Sequence, residues 1–440
     1  MTSGQTPDIP PPPQVEGHLL RLRNIGIVST RIAGTDGVSL EIEKWTEIIE
    51  AAGYHCFFIA GQCDRPENRS FIIPDADFAA PEIKKIHQWA FNSPLRTPEQ
   101  SAKVQAISSE IKRELYAAVE QFQLDAIIAE NALTIPMNIP LGLALVEFLL
   151  ETGMPCLAHH HDFVWERSRY LNNCVGDYLN AAFPPRLPQF EHVVINSIAA
   201  EAFSRRTGLT THMIPNVMDF DRPPTAPDDY TDDFRSCLGL SADDVIILQP
   251  TRIVPRKGIE HTIELASRLG SDRYKVVITH KGRDEGDAYA KRIRQYAEML
   301  QVPLIVADDY IGAGRGRQSN GQKRFSIWDA YSMADLVAYP SSIEGFGNAF
   351  LEAVYYRKPI FCNRYAIFLR DIQPYGFHAV CMDGYLTDEV VEEVQHVLKD
   401  ESYREEMVAH NYEVGRRFFS YERVRKPLGT ILETPRPSLG

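Results

Sequence analysis

Short apolar runs alternate with longer amphipathic stretches along almost the whole chain, and this alternation constrains the fold most strongly. In the first half the runs that indicate strands are 24–30, 54–60, 126–129, 156–159 and 192–195. The pattern restarts later, with predicted strands at 245–249, 275–279, 304–306, 336–339 and 359–362. Strands that alternate with helices pair in parallel through βαβ units. The sequence therefore predicts an α/β protein of two successive doubly wound, Rossmann-like domains facing a central cleft.

The boundary between these domains is predicted at the segment 222–233, RPPTAPDDYTDD, which is rich in proline and acid. Such composition is typical of a linker. We therefore expect an N-terminal domain at 18–221 and a C-terminal domain at 222–415. Residues 1–17 contain the run Pro10 to Pro13 and little that could pack, which predicts a disordered or extended tail.

The composition excludes several classes of function. The 440 residues include 46 Lys and Arg against 59 Asp and Glu, a net charge of −13, which disfavours a nucleic acid as partner. No apolar run approaches the ~20 residues that span a bilayer, and no secretory signal is visible. The seven cysteines lack C-x-x-C spacing, which predicts reduced thiols in a cytoplasmic protein.

The most informative stretch for chemistry is 341–352, SSIEGFGNAFLE, which follows a predicted strand and enters a helix. Gly345 and Gly347 allow the backbone to approach a ligand, and a helix N-terminus offers free N–H donors. Glu344 and Glu352 lie about 80° apart around the helix axis, so both carboxylates could face one polar ligand. The alternative is a capped helix that carries two solvated glutamates.

In this stretch the sequence resembles the retaining GT-B glycosyltransferases of the family four group, whose signature is two glutamates with E-G-F-G at the first. The resemblance implies that Glu344 and the backbone of Gly345, Phe346 and Gly347 hold the hydroxyls of the donor sugar. It implies that Glu352 holds the ribose of the nucleotide. It also implies a C-terminal domain that binds the nucleotide-sugar, an N-terminal domain on the acceptor side, and a segment at 416–440 that crosses back to the first domain.

A second matching stretch is LQPTRIVPRKGIEHTIE, in which Arg252 and Lys257 come between a strand and a helix that begins near Gly258. Two cations beside a helix N-terminus can stabilise a leaving diphosphate. The family uses an Arg and a Lys at this spacing on the donor phosphates, which implies that neither a metal nor another cofactor is required. Arg256 is predicted to be a solvated neighbour. Taken alone, the stretch could also be an exposed basic loop.

The loop AGTDGVS after the first strand offers Gly34, Thr35, Asp36 and Gly37. The resemblance implies that this loop contacts the donor diphosphate, through Gly34 and Gly37, or the acceptor, through Asp36. A Gly-containing turn also suggests a Rossmann oxidoreductase. That alternative lacks support, because the G-x-G-x-x-G pattern is absent and the second strand ends in FIAGQ without a ribose-binding acid.

Three consecutive histidines, at 159–161, end another first-domain strand in PCLAHHHDFVWER. Their side chains alternate in direction, so they cannot all face one site. Zinc is disfavoured, because consecutive strand residues diverge and no Cys or Glu partner has the right spacing. The resemblance implies a histidine near the donor sugar, and His161 with Asp162 is the closest match. Asp162 and Arg167 are predicted to form part of the acceptor pocket.

The stretch STRIAGTDGVSLEIEKW is similar to synthases of the compatible solute mannosylglucosylglycerate. The predicted function is therefore retaining transfer of a hexose from a nucleotide-sugar, with GDP-mannose favoured over UDP-glucose, to a small polar acceptor such as glucosylglycerate. The alternatives are a non-catalytic sugar-nucleotide-binding protein of the same fold and the oxidoreductase. The oligomeric state is not indicated by the sequence.

Overall fold

The computed structural model describes residues 23–433, apart from 35, 188, 281–286 and 313. The predicted tail at 1–17, Thr35 and residues 434–440 lie outside the described residues. No helix within these described ranges is both long enough and apolar enough to cross a bilayer.

The first half of the chain forms a seven-stranded parallel sheet. Its strands are β1 Asn24–Val28, β2 His55–Ala60, β3 Ser70–Ile72, β4 Ala126–Glu130, β5 Cys156–His160, β6 Phe190–Val194 and β7 His212–Met213. The helices around it are α1 Gly37–Ala51, α2 Pro81–Asn92, α3 Pro98–Phe122, α4 Ile139–Thr152, α5 Gly176–Ala182 and α6 Ser197–Thr207. The strand order is β3-β2-β1-β4-β5-β6-β7, so the winding reverses between β1 and β4.

The second half forms a six-stranded parallel sheet and a smaller sheet. In chain order its strands are β8 Val245–Arg252, β9 Tyr274–His280, β10 Leu304–Val306, β11 Ile311–Gly312, β12 Gly316–Arg317, β13 Lys323–Ser326, β14 Leu336–Tyr339, β15 Ile360–Asn363 and β16 Val380–Met382. Its helices are α7 Phe234–Cys237, α8 Ile259–Arg268, α9 Asp287–Met299, α10 Ile327–Met333, α11 Asn348–Tyr355, α12 Asp388–Lys399, α13 Glu401–Phe418 and α14 Glu422–Glu433. The large sheet has the order β10-β9-β8-β14-β15-β16.

Both large sheets reverse their winding beside their first strand, and ligands bind at the carboxyl ends of strands where this happens. Every residue of β4 and β5 is buried, which a parallel strand achieves when helices cover both faces of its sheet. The predicted fold class of two doubly wound α/β domains is confirmed.

The last described segment of the chain packs against the first domain. The Met218 amide donates to the Phe419 carbonyl at 2.9 Å, and the Tyr421 hydroxyl donates to Glu47 of α1 at 2.9 Å. Three apolar side chains of α14 join the hydrophobic core around α1 and β1, namely Val424, Leu428 and Ile431. Helix α14 therefore connects the end of the second domain to the first domain.

The small sheet β11-β13-β12 is a feature that the sequence pattern did not predict. Arg315 holds it in place through ion pairs to Asp228 at 2.7 Å and to Asp329 at 2.6 Å. A Cβ at Gly312 would lie 2.1 Å from Nε of Arg324, so this glycine lets the arginine cross the sheet. The strands β11 and β12 have two residues each, too few to show an alternation of polar and apolar side chains.

Two buried histidines of neighbouring strands contact each other in the first domain. Nε2 of His160 lies 2.9 Å from Nδ1 of His192, and Nδ1 of His160 lies 2.7 Å from the Thr134 hydroxyl. Burial lowers the pKa of His192 to about 4 and holds the pKa of His160 well below its usual value. Both rings are therefore neutral in the folded protein at neutral pH.

We expect the free energy of unfolding to fall as the pH drops from 6.5 to about 4, because the unfolded chain protonates these histidines while the folded core keeps them neutral. His192 alone accounts for a loss on the order of 3 kcal/mol. The variant His192→Asn keeps a polar atom near the position of Nδ1 and cannot titrate, so its urea-unfolding free energy should depend less steeply on pH. His55→Asn, at an exposed histidine, is the matched control and should behave like the wild type. Equal pH dependence of His192→Asn and the wild type would contradict this expectation.

Candidate functional site

A cleft of about 890 Å³ separates the carboxyl ends of the two large sheets. The loops that follow β1, β5, β8 and β14 line it, as expected for doubly wound sheets. All the predicted site residues contribute to this lining: Gly34, Asp36, Gly37, His161, Asp162, Arg167, Arg252, Lys257, Glu344, Gly345, Phe346, Gly347 and Glu352. The structure therefore brings residues from distant parts of the chain to one cavity.

Glu344 is the centre of an ion cluster in the second domain. Its carboxylate accepts from Nζ of Lys257 and, at 3.1 Å, from Nη1 of Arg256. The side chains of Glu344 and Lys257 are only 10% and 12% exposed. Burial acts to raise the pKa of Glu344, but the two cations outweigh it and lower the pKa. Burial also lowers the pKa of Lys257, against the pull of Glu344. The acid and the lysine that were predicted to bind different parts of the donor thus form an ion pair with each other.

Arg256 was predicted to be a solvated neighbour, and that prediction was wrong. Its guanidinium donates to Glu344 and, at 3.2 Å, to the Ile343 carbonyl. The reason is tertiary: the loop after β8 lies beside the loop after β14, because these strands are neighbours in the sheet. Arg252 ends β8 on the cleft lining, and its charge helps to lower the pKa of Lys257.

The two glycines of the E-G-F-G stretch permit close contacts. Gly347 has φ of 133°, a backbone conformation that favours glycine, and a Cβ there would lie 2.2 Å from the Tyr365 hydroxyl. A Cβ at Gly345 would lie 3.1 Å from the backbone oxygen of His161. Asn196 of the first domain donates to the Gly345 carbonyl at 2.7 Å. The loop therefore contacts the first domain directly at the floor of the cleft.

Glu352 lies inside α11 and is held by a tyrosine. The Tyr331 hydroxyl donates to Oε2 of Glu352 at 2.6 Å. Burial raises the pKa of Glu352, although the tyrosine hydrogen bond opposes this. Tyr331 is in turn one of three stacked rings, with Tyr356 and with Trp328 of the cleft lining. The glutamate thus has a fixed orientation at the cleft.

The loop after β1 is organised by Asp36. Its carboxylate caps α1 by accepting from the amides of Val38 and Ser39 at 3.1 and 3.2 Å. It also pairs with Arg31 at 3.0 Å. Asp36, predicted for the acceptor, is therefore also a helix cap, which positions the amide-rich start of α1 at the cleft.

The loop after β5 brings two predicted acceptor residues together. Nε of Arg167 donates to Asp162 at 2.5 Å, and both side chains line the cleft. In this pair the side chain of Arg167 is the more exposed, at 43% against 9% for Asp162.

The three histidines alternate along the end of β5. His160 packs against His192, whereas His159 and His161 lie on the other side and contact Glu130 at 2.9 and 2.5 Å. The ligand atoms of Glu130, His159 and His161 lie within 4.8 Å of one another, as metal ligands could. The two direct contacts are nevertheless shorter than the about 3.3 Å between ligands of a tetrahedral zinc ion. Both contacts have the length of hydrogen bonds.

Two parallel-sheet domains that enclose a cleft lined by paired cations and acids have the GT-B architecture. Residues 317–414 match the family model described as "Glycosyl transferases group 1". The chain is 32% identical over 380 residues to the mannosylglucosylglycerate synthase of Petrotoga mobilis, covering 81% of this chain and 86% of that one. It is 31% identical over 433 residues to the synthase of the same name from Thermotoga maritima, covering 91% and 97%. The chain belongs to the group 1 glycosyltransferases and is a hexosyltransferase.

Solved structures support the same fold. Sucrose-phosphate synthase of Thermosynechococcus elongatus matches with a TM-score of 0.64 and 16% identity, covering 93% of this chain and 98% of that one. Anabaena HepE in complex with UDP and glucose matches with a TM-score of 0.62 and 15% identity, covering 94% and 100%. At these identities the likeness concerns the fold alone.

The sequence did not predict that Glu130 and Asn196 lie at the site, or that Arg256 forms an ion pair with Glu344. Glu130 and Asn196 follow the apolar runs of β4 and β6, so a polar residue at the carboxyl end of a predicted parallel strand was the available signal. The corresponding signal for Arg256 was its position beside Lys257 in the loop after β8.

We expect Glu344→Gln to lower the free energy of unfolding by about 3 kcal/mol, because Lys257 and Arg256 would then repel each other without a counter-charge in a mostly buried cluster. Lys257→Met should cost less, since Arg256 still neutralises Glu344. Urea unfolding near pH 7 measures both. Glu82→Gln, at a surface acid beside Lys85 and Lys103, is the control and should cost much less than Glu344→Gln. A greater loss for Lys257→Met than for Glu344→Gln would contradict the expected order.

Proposed function

We propose that the protein transfers mannose from GDP-mannose to glucosylglycerate, with retention of the anomeric configuration. The observation that carries this proposal is the convergence of Arg252, Lys257, Glu344 and Glu352 on one cleft. The synthase names of the Petrotoga and Thermotoga relatives support the choice of donor sugar and acceptor. UDP-glucose is the second candidate donor, and the Anabaena structure with UDP shows that this fold accommodates a uridine nucleotide.

The cations bind the donor diphosphate. Arg252 and Lys257 come from the loop after β8, directly beside the loop that carries Glu344. A diphosphate carries more negative charge than one carboxylate, so it competes with Glu344 for Lys257 and frees that carboxylate to accept from sugar hydroxyls. The same cations then stabilise the negative charge that develops on the leaving nucleoside diphosphate. This arrangement requires no metal ion.

Glu352 binds the ribose through its carboxylate, in the orientation that Tyr331 sets. On the opposite wall, His161 binds the hexose, and Asp36, Asp162 and Arg167 bind the acceptor. The acceptor attacks from the face that the diphosphate leaves, and a donor phosphate oxygen takes its proton. We therefore assign no separate protein base to the reaction.

We expect the double variant Arg252→Ala, Lys257→Ala to lose at least about a thousandfold in kcat/KM, because both diphosphate-neutralising groups are removed. Initial rates of GDP release, with circular dichroism as the test of folding, measure the effect. Arg425→Ala, at an exposed arginine paired with Glu422 on α14, should retain wild-type rates. Wild-type-like transfer by the folded double variant would refute the assigned roles.

A side-by-side comparison of GDP-mannose, GDP-glucose, UDP-glucose and UDP-mannose tests the donor. With glucosylglycerate as acceptor, we expect GDP-mannose to give the highest kcat/KM and an α-mannosyl product, as judged by mass spectrometry and by the one-bond C–H coupling at the anomeric carbon. A β-linked product would disprove retention. Binding of a nucleotide-sugar without release of its nucleotide, whichever acceptor is supplied, would instead indicate a non-catalytic binding protein.

A further inference from the structure

A carboxylate beneath the floor of the cleft links two histidines. Glu130 ends β4, and its side chain is 1% exposed. One oxygen lies 2.9 Å from Nδ1 of His159, and the other lies 2.5 Å from Nε2 of His161. Burial alone would raise the pKa of Glu130, but the two imidazoles bring it down to about 2. Because an ionised carboxylate only accepts, both of these ring nitrogens carry a proton.

The two imidazoles differ in their surroundings. His159 is fully buried, stacks on Trp45 with ring centres 4.1 Å apart, and has an Nε2 without a hydrogen-bond partner among the described residues. The His161 side chain is 13% exposed and lines the cleft. The single negative charge of Glu130 balances one imidazolium. The positive charge of the imidazolium is destabilised least by burial on His161, because water or a substrate can solvate that ring.

The other charged groups around His161 are largely neutralised. Asp162 follows it in the chain and pairs with Arg167. Glu41 of α1 pairs with Lys44 at 3.1 Å. Burial acts to lower the pKa of His161. The hydrogen bond to Glu130 and the negative charge of that carboxylate outweigh burial, with smaller contributions from Glu41 and Asp162, so the pKa of His161 is raised. Glu130 is thus the acid in direct contact with this ring and the largest source of its stabilisation.

We propose that Glu130 is a positioning residue that holds His161 by Nε2 as an imidazolium, so that its Nδ1–H serves as a hydrogen-bond donor to an oxygen of the substrate in the cleft. A neutral His161 in the same orientation would offer a lone pair at Nδ1 instead, which can accept a hydrogen bond but cannot donate one to a substrate oxygen. This inference rests on the proposed function only in taking a nucleotide-sugar as the ligand.

Histidine side-chain NMR tests the proposal without any substrate. In wild-type protein labelled with ¹⁵N-histidine, His161, assigned by comparison with His161→Gln, should titrate at a higher pH than an ordinary histidine. In Glu130→Gln its titration should move down by at least about one pH unit. Glu191→Gln, which removes the carboxylate beside the exposed His212, is the matched control and should leave His161 unchanged. A wild-type His161 that is already neutral at the pH where ordinary histidines titrate would overturn the proposal, even if Glu130→Gln failed to fold.

The pH dependence of transfer supplies the second measurement. With GDP-mannose and glucosylglycerate, the alkaline fall in kcat/KM should move to lower pH in Glu130→Gln, with about a tenfold loss between the two midpoints and little loss at lower pH. An equal loss at every pH would show a merely structural role and overturn the proposal. If the wild type transferred no mannose, the proposed function would fail, while the NMR titration would still decide the role of Glu130.

Discussion

All strands of each large sheet run in one direction, and the whole site depends on this constraint. Parallel strands end at one edge of their sheet, so the loops after β1, β5, β8 and β14 gather there regardless of their distance in the sequence. Helix α14 packs into the first-domain core, and the Gly345 loop contacts the first domain. Two edges rich in polar side chains are thereby held opposite each other, and a cleft of about 890 Å³ results.

Burying charged or polar groups at this edge of the sheets destabilises the folded protein unless each group has an ion-pair or hydrogen-bond partner. Glu344 is paired with Lys257 and Arg256, Glu352 accepts from Tyr331, and Glu130 accepts from two histidines. These contacts fix the orientation of the charged and polar groups that line the cleft or lie next to it. Charges that are fixed in this way need no reorganisation, which is the condition under which they contribute most to catalysis.

Much of the fold could be predicted, because buried parallel strands are continuous apolar runs that differ clearly from the amphipathic helices between them. The predicted strands 304–306 and 336–339 have the bounds of β10 and β14. The small sheet was not predicted, because two of its three strands have only two residues each and show no periodic pattern. Residues of the candidate site could likewise be predicted where they belong to a local motif, as in the E-G-F-G stretch. They could not be predicted where their role depends on contacts between residues distant in the chain.

The sequence by itself determined the α/β class, the two domains, and the positions at which glycine, glutamate, arginine and lysine follow a strand, since these are local consequences of residue type and spacing. Only the tertiary structure decided which histidine faces the cleft, that Arg256 joins Glu344, and that Glu130 lies between His159 and His161. The physical reason is that these contacts join residues that adjacent strands bring together. Their geometry, burial and protonation exist only after the sheets have formed.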